Sequence, residues 1–453
     1  MKRTDISRIV AGEAVTICGW VKTARDSKNL SFVELNDGST FSNVQIVLDK
    51  TREFGDLTDA LQTGACLKVG GRAVINPNNN KVEIEADKIT VLGKSREDYP
   101  IQKKHQTLEF LRTIPHLRVR TNTFVAMFRL RSSLSLAIHK FFERNGFHYV
   151  HPPIITGSDG EGAGEMFKVT TIGHSLKYKT EEEYTKSDFF GKPAGLSVTG
   201  QMEGEIMAMV LGKVYTFAPT FRAENSQTTR HAAEFWMIEP EVAFCELPEI
   251  IEIAESMIKF IVKEVLEKCP DEIAFFERFY EKGLTDKLKN LVSSDFAKID
   301  YKDAIKALEK SGKNFIHPVK YGLDLQTEHE RYLCEQLFNK PTFVINYPKD
   351  VKAFYMKQNP DGITVAATDL LVPGVGEIIG CSERETDYDK LVTEITSRKM
   401  DIEQYRAYLD LRLFGSAPHS GFGLGLERML MYITGMGNIR DTQICPRAAG
   451  ELR

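Results

Sequence analysis

One stretch constrains the fold more than any other. Residues Phe221–Glu241 read FRAENSQTTRHAAEFWMIEPE. Two apolar runs, Val214-Tyr215-Thr216-Phe217 and Phe235-Trp236-Met237-Ile238, bracket its polar middle. Their β-branched and aromatic content is that of strands. Between them lie Arg222, Glu224, Asn225, Arg230, His231 and Glu234. A hairpin turn needs a few turn residues, not this density of charge. A guanidinium is a flat fork that grips phosphate or carboxylate through two bonds. Two arginines on a strand–loop–strand therefore suit a polyphosphate, and Phe235 offers a base a face to stack on. The competing reading is a solvated hairpin with ordinary ion pairs.

At 453 residues the chain exceeds one ordinary domain, and 42% hydrophobic residues are ample for large cores. Its first ten residues, MKRTDISRIV, contain no apolar h-region, and no apolar run approaches about 20 residues, so neither secretion nor membrane spanning is expected. Seven cysteines are scattered without a CxxC pair, which argues against structural zinc and a disulfide framework and fits a reduced cytoplasm. The net charge of −4 excludes a general basic field, so any RNA contact must be local.

Residues 1–98 read as all-β. Strands are expected at Ala14–Val21, Leu30–Leu35, Ser42–Leu48, Cys66–Ile75, Val82–Ala86 and Ile89–Leu92, with a helix near Asp56–Thr63. Turn signals at Asn36-Asp37-Gly38 and Asn76-Pro77 separate them. This set suggests an OB-fold barrel, which binds single strands by stacking bases on exposed aromatics. Phe32 shares a strand face with Leu30 and Glu34, and the alternation leaves open whether that face is core or surface. Residues 99–116 read as a linker. Gly93-Lys94-Ser95 is no P-loop, because Lys88 stands where that motif needs glycine.

Further on, Phe128–Arg144 has helical spacing, and Phe147–Ile155 is a strand whose Pro152 and Pro153 confine it to an edge or interface. Gly157–Glu165 is glycine-rich and acidic, either a loop over a site or a plain surface loop. Leu196–Gln201 reads as a strand entering a helix over Met202–Met209, and Pro248–Lys268 as a helix. The lysine- and glutamate-rich region at about 270–340 reads as an insertion. Strands are expected at Pro341–Tyr347 and Val351–Met356. Asp369 and Glu377 sit amid apolar strands, where carboxylates are costly unless paired or bound to metal, and Mg²⁺ prefers such oxygens together with phosphates. Gly421, Gly423 and Gly425 alternate along a strand, leaving one face bare for a flat ring, before Glu427-Arg428 opens a helix to Thr434.

These pieces form an ordered set. FRAE followed by RHAAEF resembles motif 2 of the class II aminoacyl-tRNA synthetases, and GFGLGLER at Gly421–Arg428 resembles motif 3. The helix and strand over Phe128–Ile155 resemble motif 1, with Pro153 in place of its proline. EFWMIEPE, LLVPGVGEIIG and PHSGFGLGLERML are similar to the asparaginyl subgroup of class IIb. The resemblance implies an α+β fold: an OB-fold anticodon-binding domain over 1–98, a hinge over 99–116, and a catalytic domain over 117–453 built on an antiparallel sheet flanked by helices. It implies a cytoplasmic homodimer joined through Phe128–Ile155. The implied activity is ATP- and Mg²⁺-dependent ligation of L-asparagine to tRNA(Asn) through an asparaginyl-adenylate.

The residue roles it implies are specific. Arg222 and Arg428 are catalytic. ATP is held by Arg222, Glu224, Arg230, His231, Phe235, Glu377, Gly425 and Arg428, and metal by Glu377 and Asp369. Asparagine is held by Glu161, Ser197, Gln201, Glu239 and Arg384, with Glu165 a rival to Glu161. Phe32 and Gln45 read the anticodon. In the aspartate-specific relatives a lysine stands where this chain has Gly204, and an Asp where it has Glu239. That departure favours a neutral carboxamide over a carboxylate. The alternatives are an aspartyl-tRNA synthetase, a tRNA-independent amide-forming enzyme like asparagine synthetase, and a catalytically dead binding protein.

Overall fold

A computed structural model describes residues 2–54, 57, 61–102, 106–160, 166–173, 180–226 and 228–452. The chain divides into two compact units, Met1–Arg129 and Leu130–Arg453.

The first unit is built on a closed five-stranded barrel of β1 (Ala14–Asp26), β2 (Leu30–Asn36), β3 (Val44–Asp49), β4 (Cys66–Ile75) and β5 (Val82–Gly93), in the order β1-β2-β3-β5-β4. Closure leaves no open sheet edge. Ile17, Val33, Leu35, Ile46, Val69 and Ile84 alternate inward and form its core. The two strands expected at Val82–Ala86 and Ile89–Leu92 are one continuous strand, β5. Its register shifts opposite Gly70 and Gly71, where a Cβ on Gly71 would collide with the Glu85 carbonyl, so a bulge bends the strand without ending it. Half of the helix expected near Asp56–Thr63 lies outside the described residues.

The second unit is an eight-stranded sheet in the order β11-β12-β13-β14-β15-β10-β9-β6. From the chain start its strands are β6 (His148–Val150), β9 (Lys213–Phe221), β10 (Glu234–Ala243), β11 (Ala297–Asp300), β12 (Thr342–Ile345), β13 (Ala367–Val372), β14 (Gly376–Glu383) and β15 (His419–Gly425). The six central strands pair antiparallel, and the outermost pair at each edge is parallel. The two-residue strands β7 (Ile155–Thr156) and β8 (Gly195–Leu196) pair separately. The helix Asn122–Arg144 begins earlier than expected and buries Leu130, Leu134, Ala137, Ile138 and Phe141. The helix Leu247–Lys268 opens with a capping box between Glu246 and Glu249 and buries one apolar stripe.

Three strand expectations are corrected. Phe147–Ile155 is not one strand: His151-Pro152-Pro153 interrupts it between β6 and β7, because prolines cannot donate to the ladder, and β6 is an edge. Leu196–Gln201 is a strand only at its start. Val351–Met356 buries Phe354 and Tyr355 but forms no strand, Met356 making only an isolated bridge to Arg384. Within 270–340, the helix Pro270–Phe279 fully buries Phe276, and β11 extends the main sheet alongside β12.

Candidate active site

The hairpin β9–β10 pairs from Val242↔Lys213 to Glu234↔Phe221, and the chain between carries the charged loop. β15 lies on the other side of β10, and the helix Leu426–Thr434 follows it directly. This packing brings residues from both ends of the unit to one cavity of about 260 Å³. Its lining includes Arg222, Glu224, Arg230, His231, Phe235, Glu377, Gly425 and Arg428, and also Gln201, Glu239 and Arg384.

Among these lining residues, the Arg222 guanidinium lies 5.5 Å from the centre of the Phe235 ring. Arg230 Nη1 donates to the Val375 carbonyl at 2.5 Å, lies 3.7 Å from Glu330, and its Nη2 donates to Thr327. Arg428 Nη1 donates to the Glu377 backbone carbonyl at 3.1 Å and meets its carboxylate at 3.3 Å. Burial first, and then the Arg428 charge, push the His231 imidazole below its usual range; Arg230 and Arg222 act in the same direction. Its Nδ1 is 3.2 Å from Ser226 Oγ and 2.5 Å from Thr228 Oγ1. Burial alone would raise the Glu377 carboxyl, but Arg428 and then Lys352 hold it below the ordinary range.

The glycine stripe is less bare than its alternation suggests. A Cβ on Gly421 would strike the Glu241 carboxylate, and one on Gly423 would lie 2.7 Å from Met237 Cε. The side chains of β10 already cover those two positions, and at Gly425 the nearest atoms are at 3.9 Å.

Glu239 and Arg384 are each held by buried partners. Glu239 accepts from the Gly200 backbone N–H at 2.8 Å, from Thr216 at 3.3 Å and from Thr199. Arg384 donates to Glu241 through Nη2 at 2.5 Å and Nε at 3.2 Å, and to Ser382 through Nη1 at 2.7 Å. Glu241 and Arg384 are joined by Glu205, a fully buried carboxylate bonded to Arg412 at 2.8 Å, His419 at 2.9 Å, Tyr408 at 3.0 Å and Gln201 Nε2 at 2.9 Å. Burial opposes the charge on Arg384, and Glu241 then outweighs it, so the guanidinium stays firmly charged. Burial would likewise raise Glu205, but Arg412 and His419 pull it well below the carboxylate range. A Cβ on Gly204 would lie 3.2 Å from Glu241 Cγ, so any larger side chain there presses on the residue that pairs with Arg384.

The remaining candidates sit elsewhere. Ser197 is buried beside the cavity's lining rather than in it, its Oγ donating to the Thr199 carbonyl at 2.6 Å. Asp369 is buried in a 2.6 Å pair with Lys352, and burial, opposed by that lysine, pushes its carboxyl up to about 6. Glu161 and Glu165 lie outside the described residues. In the barrel unit, Ser31, Val33 and Leu35 are buried while Phe32 is not, so Phe32 belongs to the outer face. The Arg25 guanidinium lies 4.9 Å from its ring centre, and Gln45 accepts from Arg25 at 3.3 Å and donates to Glu83 at 2.7 Å.

Sequence reasoning missed Glu241, Glu205, Glu330 and Lys352. Glu241 was within reach: two residues beyond Glu239 on β10, it must share that strand's face. Among the described residues no three acidic, His or Cys side chains converge on a metal-sized point. The carboxylates of Glu377 and Asp369 alone face the same glycine, Gly380. Two hard oxygen donors of this kind fit a Mg²⁺ ion completed by phosphates.

Comparison with known proteins agrees with this geometry. The family described as tRNA synthetases class II (D, K and N) matches residues 107–449, and that described as OB-fold nucleic acid binding domain matches residues 15–92. An asparagine–tRNA ligase of Clostridium botulinum is 54% identical over 440 residues, 96% of this chain and 95% of that one. One from Bacillus cereus is 53% identical over 443 residues, 97% of this chain and 96% of that one. The crystal structure of asparaginyl-tRNA synthetase from Pyrococcus horikoshii complexed with asparaginyl-adenylate superposes with a TM-score of 0.88 at 33% identity, covering 100% of this chain and 99% of that one. This chain belongs to the class II aminoacyl-tRNA synthetases and, within them, to the asparagine–tRNA ligase family.

Proposed function

We propose that the chain ligates L-asparagine to tRNA(Asn) at the expense of ATP, through an asparaginyl-adenylate. One observation carries the reading: a single cavity unites the arginines of the β9–β10 loop and of the helix after β15 with the braced pair Glu239 and Arg384. Phe235 and Arg428 enclose the adenine, Glu224 contacts its amino group, and Arg230, His231 and Arg428 hold the outer phosphates near Gly425. Gln201 receives the α-amino group, with Glu161 of the acidic loop drawing the same ammonium, while Ser197 supports the site from beside it. Glu239 accepts from the side-chain N–H₂, and Arg384 donates to the side-chain carbonyl. A site so built leaves buried groups unpaired with the wrong ligand, a loss of about 1–3 kcal/mol per group.

The asparagine carboxylate attacks the α-phosphate in line, Arg222 offsets the charge gathering there, and pyrophosphate leaves. The terminal hydroxyl of the tRNA then attacks the activated carbonyl, and no covalent enzyme intermediate forms. Mg²⁺, held by Glu377 with Asp369, supplies further neutralisation of phosphate charge when bound. The chain acts in the cytoplasm as a homodimer through Phe128–Ile155, a reading supported by the exposed Leu136, Tyr149, Ile154 and Ile155. Phe32 and Gln45 read the anticodon.

ATP–pyrophosphate exchange with asparagine and aspartate side by side tests the assignment. Exchange driven by asparagine is expected; exchange driven only by aspartate overturns the specificity.

A further inference from the structure

The two carboxylates of the β13–β14 hairpin each already have a cation. A Cβ placed on Gly380 would lie 3.4 Å from Glu377 Oε1 and 3.9 Å from Asp369 Oδ1, so both groups look onto one small space. Arg428 pairs with Glu377 at 3.3 Å, and Lys352 Nζ pairs with Asp369 Oδ2 at 2.6 Å. The two cations differ in kind. Glu377 and Arg428 are 37% and 25% exposed, so an incoming phosphate can compete for that guanidinium. Lys352 and Asp369 are 13% and 12% exposed, and the ammonium sits 3.9 Å from the centre of the fully buried Tyr347 ring. The backbone at Lys352 and just before it is also held, Arg398 donating to the Lys352 carbonyl at 2.8 Å and to the Lys349 carbonyl at 3.1 Å. Lys352 therefore cannot readily swing away.

We propose that Lys352 is an internal counter-ion that keeps the Asp369–Glu377 pair from taking up a divalent cation until nucleotide phosphates supply further oxygens, so that metal and ATP load together. The proposal rests on the reading of Glu377 and Asp369 as the metal-holding carboxylates. Two adjacent carboxylates are a ready donor set for a hard cation. A fixed ammonium against one of them repels that cation and occupies an oxygen it would use. Phosphate oxygens restore the lost attraction. Lys352 is thus a positioning residue, acting through Asp369.

The test measures Mn²⁺ binding to the full chain without nucleotide, by electron paramagnetic resonance of the free ion, in wild type and in Lys352→Met. The methionine keeps the stem against Tyr347 and removes the charge. Mn²⁺ is expected to bind at least about tenfold tighter in the variant, as removal of one unit charge a few Å away dictates. Lys352→Arg should bind like wild type, and adding Asp369→Asn to Lys352→Met should abolish the gain. If the methionine variant does not fold, Lys352→Gln keeps a donor beside Asp369 without its charge and carries the same expectation. Nucleotide-free Mn²⁺ binding that stays at the wild-type level in a folded variant, or a gain that survives Asp369→Asn, overturns the proposal. ATP binding by wild type that ignores EDTA overturns the metal reading as well, whereas EDTA-sensitive ATP binding with unchanged Mn²⁺ binding in the variant overturns this proposal alone.

Discussion

Arg384 and Glu241 form a two-point ion pair, Nη2 to Oε1 at 2.5 Å and Nε to Oε2 at 3.2 Å, with both side chains at most 4% exposed. The guanidinium fork of Arg384 is thus held in place from β10 itself. Glu241→Gln keeps the shape but halves the acceptors and leaves a buried guanidinium under-compensated. Breaking such a pair by changing one partner typically costs about 3–5 kcal/mol. The variant should unfold at lower denaturant and need more asparagine for half-maximal exchange. Wild-type values on both counts would deny Glu241 this supporting role.

Gly376 offers a second handle. Its φ is +89°, and a Cβ there would collide with the Glu330 carboxylate and lie 2.9 Å from Arg230 Nη1. Gly376→Ala combines left-handed strain with displacement of the arginine's anchor, and a destabilisation of about 1–3 kcal/mol is expected. ATP affinity should fall in parallel, which equilibrium binding at fixed temperature would read. Unaltered affinity would separate Arg230 from the nucleotide.

Acid stability has its own marker. Glu264 bridges Lys140 at 2.5 Å and Lys268 at 2.9 Å, joining the helices Asn122–Arg144 and Leu247–Lys268. Those hydrogen bonds, Lys140 first, hold its carboxyl at about 2, below the ordinary 4.5. A depressed folded-state value means the stabilisation is fully present above the unfolded value and is lost as the pH falls towards the folded one. Glu264→Gln should therefore be less stable than wild type at pH 7, with the difference shrinking between about 4.5 and about 2. Thermal melts across that range check it; a gap independent of pH would point to packing instead.

The arginine-bearing loop after β9 and the glycine strand β15 are legible in sequence because each is local. Charge concentrated between two apolar runs of β-branched and aromatic residues, and a glycine alternation running into Glu427-Arg428, each announce a strand–loop or strand–helix junction without knowledge of the rest. The brace behind Arg384 is not local. Glu205 meets Tyr408, Arg412 and His419 across separations of 203, 207 and 214 residues. In a linear reading Arg412 is an ordinary charge on a short helix, and only packing reveals that it is buried. The strand errors have backbone causes. Proline stops a ladder that apolar content alone would continue, and Asp87-Lys88 looks like a turn although β5 continues through it by a bulge. Phe354 and Tyr355 show the converse, since burial of aromatic side chains does not require a strand.

Arg222 carries the catalytic part of the proposed function, and its place in the cavity lining makes that part testable. Its neighbour across the hairpin end is Ala233, whose carbonyl accepts the Arg222 backbone N–H at 2.9 Å, so the backbone is fixed whatever the side chain. Arg222→Ala should fold normally and lower asparagine-dependent ATP–pyrophosphate exchange by about 10²–10³-fold or more, as loss of one preorganised group at a developing charge does. Near-normal exchange in the folded variant would remove Arg222 from the reaction.

The barrel allows a prediction that separates RNA reading from chemistry. Phe32 stands on the outer face of β2, with the Arg25 guanidinium 4.9 Å from its ring centre and Gln45 bonded to Arg25 and Glu83. An aromatic ring there is a platform for one base, and such stacking is worth about 1–3 kcal/mol. Because Phe32 projects away from the cluster of Val33, Leu35 and Ile46, its removal leaves the barrel core intact. Phe32→Ala should raise the tRNA concentration needed for aminoacylation by about tenfold or more, since each 1.4 kcal/mol is a factor of ten. Exchange measured without tRNA should not change, because the cavity proposed to form the adenylate is lined wholly by residues of the other unit. A variant that charges tRNA with wild-type affinity would show that the outer face of β2 does not carry the anticodon, and a loss of tRNA-free exchange would show that the substitution acts through folding.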